Sequence, residues 1–195
     1  MIIVCTASSD TYITNKIIDG NFQATDANVG QAATLDIFKL YNETALNGTA
    51  NQTELSRALV KFDLSPVTDL TASVLDLSDS SFSATIEMKD IMTGHAVPRD
   101  FKLSVFPLSQ SFDEGEGIDT GKFSDVHVAN FVTASYTTQN NIWFREGADY
   151  GGLIDSDDID YISSGNLGDG SGVVSFEKSQ TFAIGTEDLS IDVTN

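Results

Sequence analysis

Residues 56–66 read SRALVKFDLSP. Ala58, Val60, Phe62 and Leu64 fall on one side of an extended chain, Arg57, Leu59, Lys61 and Asp63 fall on the other, and Pro66 follows as a stop signal. The reading is a buried strand. Segments on both sides are patterned for extended structure too, and none carries a sustained helical repeat. This predicts an all-β fold, a two-sheet β-sandwich of jelly-roll type with long loops and at most short helical turns, in one domain over residues 1–195.

Working outward, residues 2–13 give two short extended pieces, and the opening MIIVC reads as an edge strand burying Ile2, Val4 or Cys5. It lacks the positive n-region and the length of a signal peptide. Residues 34–40 (TLDIFKL) are apolar on both faces, so a strand covered on both sides is expected. Residues 42–54 form a polar, hairpin-like excursion whose sequons at Asn42, Asn47 and Asn51 read as ordinary loop chemistry. After the central strand, residues 68–77 predict one or two helical turns capped by Thr68 or Asp69.

Residues 81–91 alternate cleanly, with Phe82, Ala84, Ile86 and Met88 inward. Residues 101–108 place Phe101, Leu103 and Val105 on one face, and Pro107 marks a bulge or an edge. A short helical turn is expected near residues 123–128. Short strands are expected at residues 131–136, 141–144, 176–184 and 189–193, whereas the Gly-, Asp- and Ser-rich residues 149–172 read as surface loops.

The formal charge is −19 over 195 residues, with 29 Asp and Glu against 10 Lys and Arg. Phosphate binding needs clustered cations, so nucleic acid is not expected as a partner. No run of about 18 apolar residues exists, so no helical membrane span is expected. A lone Cys5 has no internal disulfide partner.

Two histidines, His95 and His127, lack metal-ligand spacing, and no GxSxG elbow supports a serine triad, so no enzyme is expected. Acidic loops are the better site candidates. Asp113 and Glu114, with Glu116 nearby, and Asp155, Asp157, Asp158 and Asp160, with Asp169 beyond, supply the hard oxygens calcium requires, about six to eight per ion. None fits an EF-hand loop. A glycosidase needs two carboxylates at a set separation, which spacing along the chain does not supply. Tyr136, Trp143, Phe144, Tyr150 and Tyr161 are candidates for a sugar-stacking platform, with Trp143, Tyr150 and Tyr161 the principal set and Trp143 the most structural in aspect.

DTYI at residues 10–13, NVGQAATLDIF at 28–38 and SRALVKFDLSP at 56–66 resemble the DNRLRE-type, family 96 carbohydrate-binding-like β-jelly-roll modules. SQSFDEGEG at residues 109–117, WFREGAD at 143–149 and LSIDVT at 189–194 resemble later motifs of the same modules, with Phe112 where tryptophan is usual and Glu146 and Ala148 departing from the pattern. Further strands normally follow the last motif, so the resemblance implies a shortened module, a piece of a longer product, or a sheet completed by a neighbouring chain.

The phrasing at CTASSDTYITNKI, TLDIFKLYNE, FPLSQSFDEGEGID and DIDYISSGNLGDG also resembles virion structural proteins of tailed marine bacteriophages. That resemblance implies a particle protein of the tail, baseplate or fibre, packed against other virion proteins and copies of itself. The alternatives are an adhesin module binding a host-surface glycan, with calcium stiffening its acidic loop, and a capsid decoration protein.

Overall fold

A computed structural model of the chain describes residues 1–71, 74–91, 97–121, 124–125, 127–136, 141–166 and 172–194. In chain order the first elements are β1 (Ala7–Thr14), β2 (Ile17–Ile18), β3 (Phe22–Gln23), β4 (Lys39–Tyr41), β5 (Thr53–Phe62) and α1 (Ser65–Thr71). There follow β6 (Thr85–Met88), β7 (Phe101–Val105), β8 (Thr133–Ser135), β9 (Asn141–Ile142) and β10 (Gly151–Leu153). The last are β11 (Tyr161–Asn166), β12 (Val173–Ser175), β13 (Lys178–Phe182) and β14 (Leu189–Asp192). Strands dominate, as the alternation predicts, but they pair in small separate sheets: β1-β5-β4, β10-β11-β12, and the two-stranded β13-β7, β14-β6, β2-β3 and β8-β9.

The central strand is in place, with β5 antiparallel to both β1 and β4. Its burial differs from the expected face. Leu59 is buried and Leu64 exposed, while the polar Glu54 and Ser56 are fully covered. Hydrogen bonding explains this: Glu54 accepts from the Ile17 amide (2.8 Å), and Ser56 Oγ accepts from the Phe38 amide (2.9 Å) while donating to the Asp36 carbonyl. Partnering of this kind offsets the cost of desolvation, for Ser56 through its hydroxyl and for Glu54 through Oε2 alone, since its buried Oε1 has no hydrogen-bond partner among the described residues.

Those bonds also correct the reading of residues 34–40. The segment follows the rim of β5 through Ser56 rather than through a regular ladder, so only Lys39–Tyr41 is strand, and all three residues are exposed. The opening residues differ too. Ile2 is 92% and Val4 79% exposed, and strand structure starts only at Ala7.

Helix α1 begins three residues earlier than expected, because Pro66, read as a stop, lies in its first turn, where proline needs no donor. The Asp63 carboxylate accepts from the Ser65 amide (2.9 Å), which holds its pKa below the usual carboxylate value. In the 42–51 excursion all three sequon asparagines have positive φ (58°, 49° and 64°), a conformation asparagine tolerates better than most residues. Asn42 Oδ1 closes the loop by accepting from the Asn51 amide (2.8 Å).

β6 and β7 show the predicted parity, with Ile86, Met88, Phe101, Leu103 and Val105 turned toward Phe182, Leu189 and Ile191 in one apolar cluster. Phe101 and Phe182 stack at 4.8 Å. The reading of residues 149–172 as loops is corrected, since β10 and β11 run parallel there and β12 closes antiparallel. Gly151 belongs to that strand because the Tyr161 ring occupies the space a Cβ would need, 2.4 Å away. Thr93, Gly94, His95 and Asp169 lie outside the described residues, as do residues 123 and 126 of the turn expected near 123–128.

A second cluster contains Ile13, Leu59, Phe112, Trp143 and the alanines 129, 134 and 148. Small side chains let backbone segments approach closely, and buried polar side chains bond them together. Asn28 is the clearest case. Its Nδ2 donates to the Glu114 and Ala129 carbonyls (2.8 and 2.9 Å), and its Oδ1 accepts from the Gly117 and Gly30 amides (2.7 and 3.3 Å). A Cβ on Gly117 would lie 1.9 Å from the Asn28 carbonyl oxygen, so the two segments fit only with glycine there.

Asn28→Ala orphans several buried backbone groups at once, and a loss of about 3 kcal/mol in urea unfolding is expected, with Gly117→Ala at least as damaging. A change under about 0.5 kcal/mol for both would show that this contact does not hold the loops.

Tyr12 gives a pH test. Burial first, then the charges of Asp36 and Asp119, push its pKa up to about 12 from 10.0. Because the folded value is raised, its contribution is complete below pH 10 and fades as pH climbs toward 12. Alkaline unfolding should therefore cost on the order of 2 kcal/mol across that window and be blunted in Tyr12→Phe. An identical alkaline profile for the variant would refute the assignment.

Candidate functional site

Asp160 immediately precedes β11 and is fully buried. Its carboxylate accepts from three backbone amides, those of Phe144 (2.6 Å), Arg145 (3.0 Å) and Tyr150 (3.0 Å). The 143–150 turn therefore hangs from one side chain. Arg57 grips it from β5, donating to the Gly147 carbonyl (2.5 Å) and pairing with Asp149, while the Gly147 amide reaches the Phe131 carbonyl (2.6 Å).

Successive residues of that turn face opposite ways. Trp143 points into the core, 2% exposed, and its Nε1 donates to the Asn130 carbonyl (2.8 Å). Phe144 points out, 53% exposed, and packs on Tyr150 with ring centroids 5.0 Å apart. The Arg145 guanidinium lies 4.9 Å from the Tyr150 ring centre. The result is an aromatic ridge on a fixed backbone.

Beside it are two shallow cavities. One, of about 330 Å³, is walled by Val132, Tyr136, His127 and Ile142, with Asp26 at its border; the other, of about 400 Å³, lies between Ile142, Phe144, Ile159 and Asp157. Ile142 lines both, so the two hollows adjoin, and Phe144 of the ridge walls the second. The His127 and Tyr136 rings meet at 4.1 Å, and Ser124 Oγ donates to Asp26 (2.5 Å).

Sequence reasoning singled out residues that the fold distributes among different tasks. Asp113 accepts from the Tyr136 amide (3.0 Å) and so positions that ring, and Glu114 accepts from the Asp10 amide (3.1 Å). Asp155, Asp157 and Asp158 are exposed, Asp155 with φ of 73°, and Asp160 is the buried hanger. Among the described residues no three His, Cys, Asp or Glu side chains gather as a metal site. Of the aromatic set, Trp143 is core, Tyr161 is half-buried against Phe106 (4.7 Å), Tyr136 stands apart beside His127, and Phe144 and Tyr150 make the exposed ridge.

Sequence reasoning named Phe144 but not its place as the outward partner of the inward Trp143, and it did not find the hollow around His127 and Ile142. Parity along WFRE carried the first signal. The second rests on contacts between residues far apart in the chain and had none.

Comparison with family models, with curated proteins and with solved structures gave no match to this chain. No described helix is long and apolar enough to cross a membrane.

Replacing Asp160 by alanine leaves three inward amides without their acceptor, so a loss of about 3 kcal/mol is expected. Because Trp143 is the sole tryptophan, its emission should shift to longer wavelength in Asp160→Ala under native conditions. An unshifted spectrum with unchanged unfolding would show that the turn does not depend on this carboxylate.

Proposed function

We propose that the chain is a non-enzymatic structural subunit of a tailed-bacteriophage virion, in the tail, baseplate or fibre, and that it works by packing against copies of itself and other virion proteins. The observation that carries this reading is the open side of the first sheet. β4 pairs with β5 alone among the described strands, so its outer main-chain edge is open, and the exposed Leu40 (38%) and Tyr41 (66%) project from the two faces of that edge strand, with Ile37 (44%) just before it. An unpaired apolar edge is a liability in an isolated chain and a docking rail in an assembly.

The jelly-roll expectation belongs to the same reading. Strands contributed by neighbouring subunits would join the small sheets into two layers, which is how a module with fewer strands completes its sandwich. Two contacts support the module-like organisation. Asn28 and Gly30 of one quoted segment meet Glu114 to Gly117 of another, and Arg57 of a third meets Gly147 and Asp149 of a fourth. A second reading, a glycan-binding adhesin, draws on the exposed Phe144 and Tyr150 ridge with its adjoining Arg145.

Sedimentation over micromolar to hundreds of micromolar protein should show self-association that Leu40→Lys with Tyr41→Lys abolishes at unchanged melting temperature. Antibody against the chain should label intact particles. A monomer at every concentration that is also missing from purified particles would overturn the subunit reading, and retention on polysaccharide lost in Tyr150→Ala would favour the adhesin.

A further inference from the structure

We propose that the hollow between Tyr136, His127 and Ile142 receives an arginine side chain from a protein partner. The inference extends the subunit reading by naming the chemistry of one contact, and it rests on that reading only for the partner being a protein.

Each part of an arginine has a matching wall. Val132 and Ile142 offer hydrocarbon along which a methylene stem can lie. The Tyr136 and His127 rings, 4.1 Å apart and inclined at 57°, make an aromatic corner, and Tyr136 is 49% exposed and therefore reachable. A guanidinium over such a ring is attracted by its electron-rich face. At the border stands the Asp26 carboxylate, which keeps acceptor capacity beyond the single bond from Ser124 Oγ.

Charge favours the same occupant. At a net −19 the whole chain draws cations, and Asp26 places that field beside the cavity. Elsewhere on its own surface the chain already uses both halves of this recognition: Arg145 lies over Tyr150, and Arg57 pairs with Asp149 while donating to a carbonyl.

Arginine fits better than lysine. Its flat fork can lie against a ring while its edge donates to a carboxylate, whereas an ammonium is a compact, strongly hydrated point charge. A sugar fits less well, because its hydroxyls need several partners. The side-chain amide of Asn130 in the wall is spent internally on the Asp125 and Val128 carbonyls and on the Val132 and Thr133 amides.

The hollow is also held in shape before anything enters. Asp113 fixes the Tyr136 amide and receives the Ala129 amide at its own carbonyl (2.8 Å), and Asn130 fixes the turn into β8. Binding need not order these groups first.

The test is an amide NMR titration of the full chain with three probes: an acetylated Gly-Arg-Gly amide, the same peptide with citrulline, and glucose. The arginine peptide should produce saturable shifts at residues 127, 130–136 and 141–142. Citrulline keeps the shape and removes the charge, so it should bind about threefold or more weakly. Tyr136→Leu should weaken the arginine peptide about fivefold while Tyr136→Phe, which keeps the ring, binds as the parent does. Asp26→Asn should weaken it and flatten its salt dependence.

Equal binding of the citrulline peptide, shifts located elsewhere, or no saturable shift at all would overturn the proposal. So would glucose saturating these amides while the arginine peptide leaves them unmoved. If Tyr136→Leu fails to fold, the parent titrations with arginine, citrulline and glucose decide it alone. Particle labelling judges the subunit reading separately, so the failure of one is distinguishable from the failure of the other.

Discussion

Hydrogen bonds from buried amide and carboxylate side chains to the main chain of loops are the constraint on which this structure depends. Asn28, Asn130 and Asp160 each serve two or more backbone groups, and none is accessible to water. Sheets of two or three short strands leave many loop donors and acceptors for which the ladders provide no partner. Water cannot serve them in a covered interior, so side chains must. The core around Ile13 and Trp143 is accordingly rich in alanine, which brings backbones within reach of these central groups. Such an interior is unforgiving, because deleting one hub strands several partners together.

The same hubs shape the exposed face. Asn130 receives the indole of Trp143 at its carbonyl, fixes the start of β8 through its side chain, and lines one hollow. One residue later in the chain from Trp143, Phe144 emerges on the surface. Core and face are therefore two sides of one short segment. A change that loosens the interior there moves the ridge as well, so the stability of the core and the shape of the exposed face are coupled through residues 143–150.

How much of this could be read from sequence varied with the source of the order. Where a strand's burial comes from apolar packing, as in β6 and β7, alternation located both the element and its inward face, and for β14 it located the element. Where burial comes from polar bonding, it misled. Glu54 and Ser56 look like solvent-facing residues, and they are covered; Ile37 and Leu40 look like core, and they are exposed. Glycines at 151 and 152 carried a loop signal although they are strand positions overlain by Tyr161 and Ile159. Pro66 read as an end and proved a beginning. Among site residues, Asp160 was noticed for its charge, but whether a carboxylate faces an ion or three amides depends on residues 10 to 16 positions away.

The suspension of the 143–150 turn has a consequence for variation. Asp160 holds Phe144, Arg145 and Tyr150 by their main-chain N–H groups, which every amino acid but proline possesses. Their side chains are thus released from architectural duty. The ridge can therefore be rewritten letter by letter, from aromatic to charged to small, while the hook beneath stays the same.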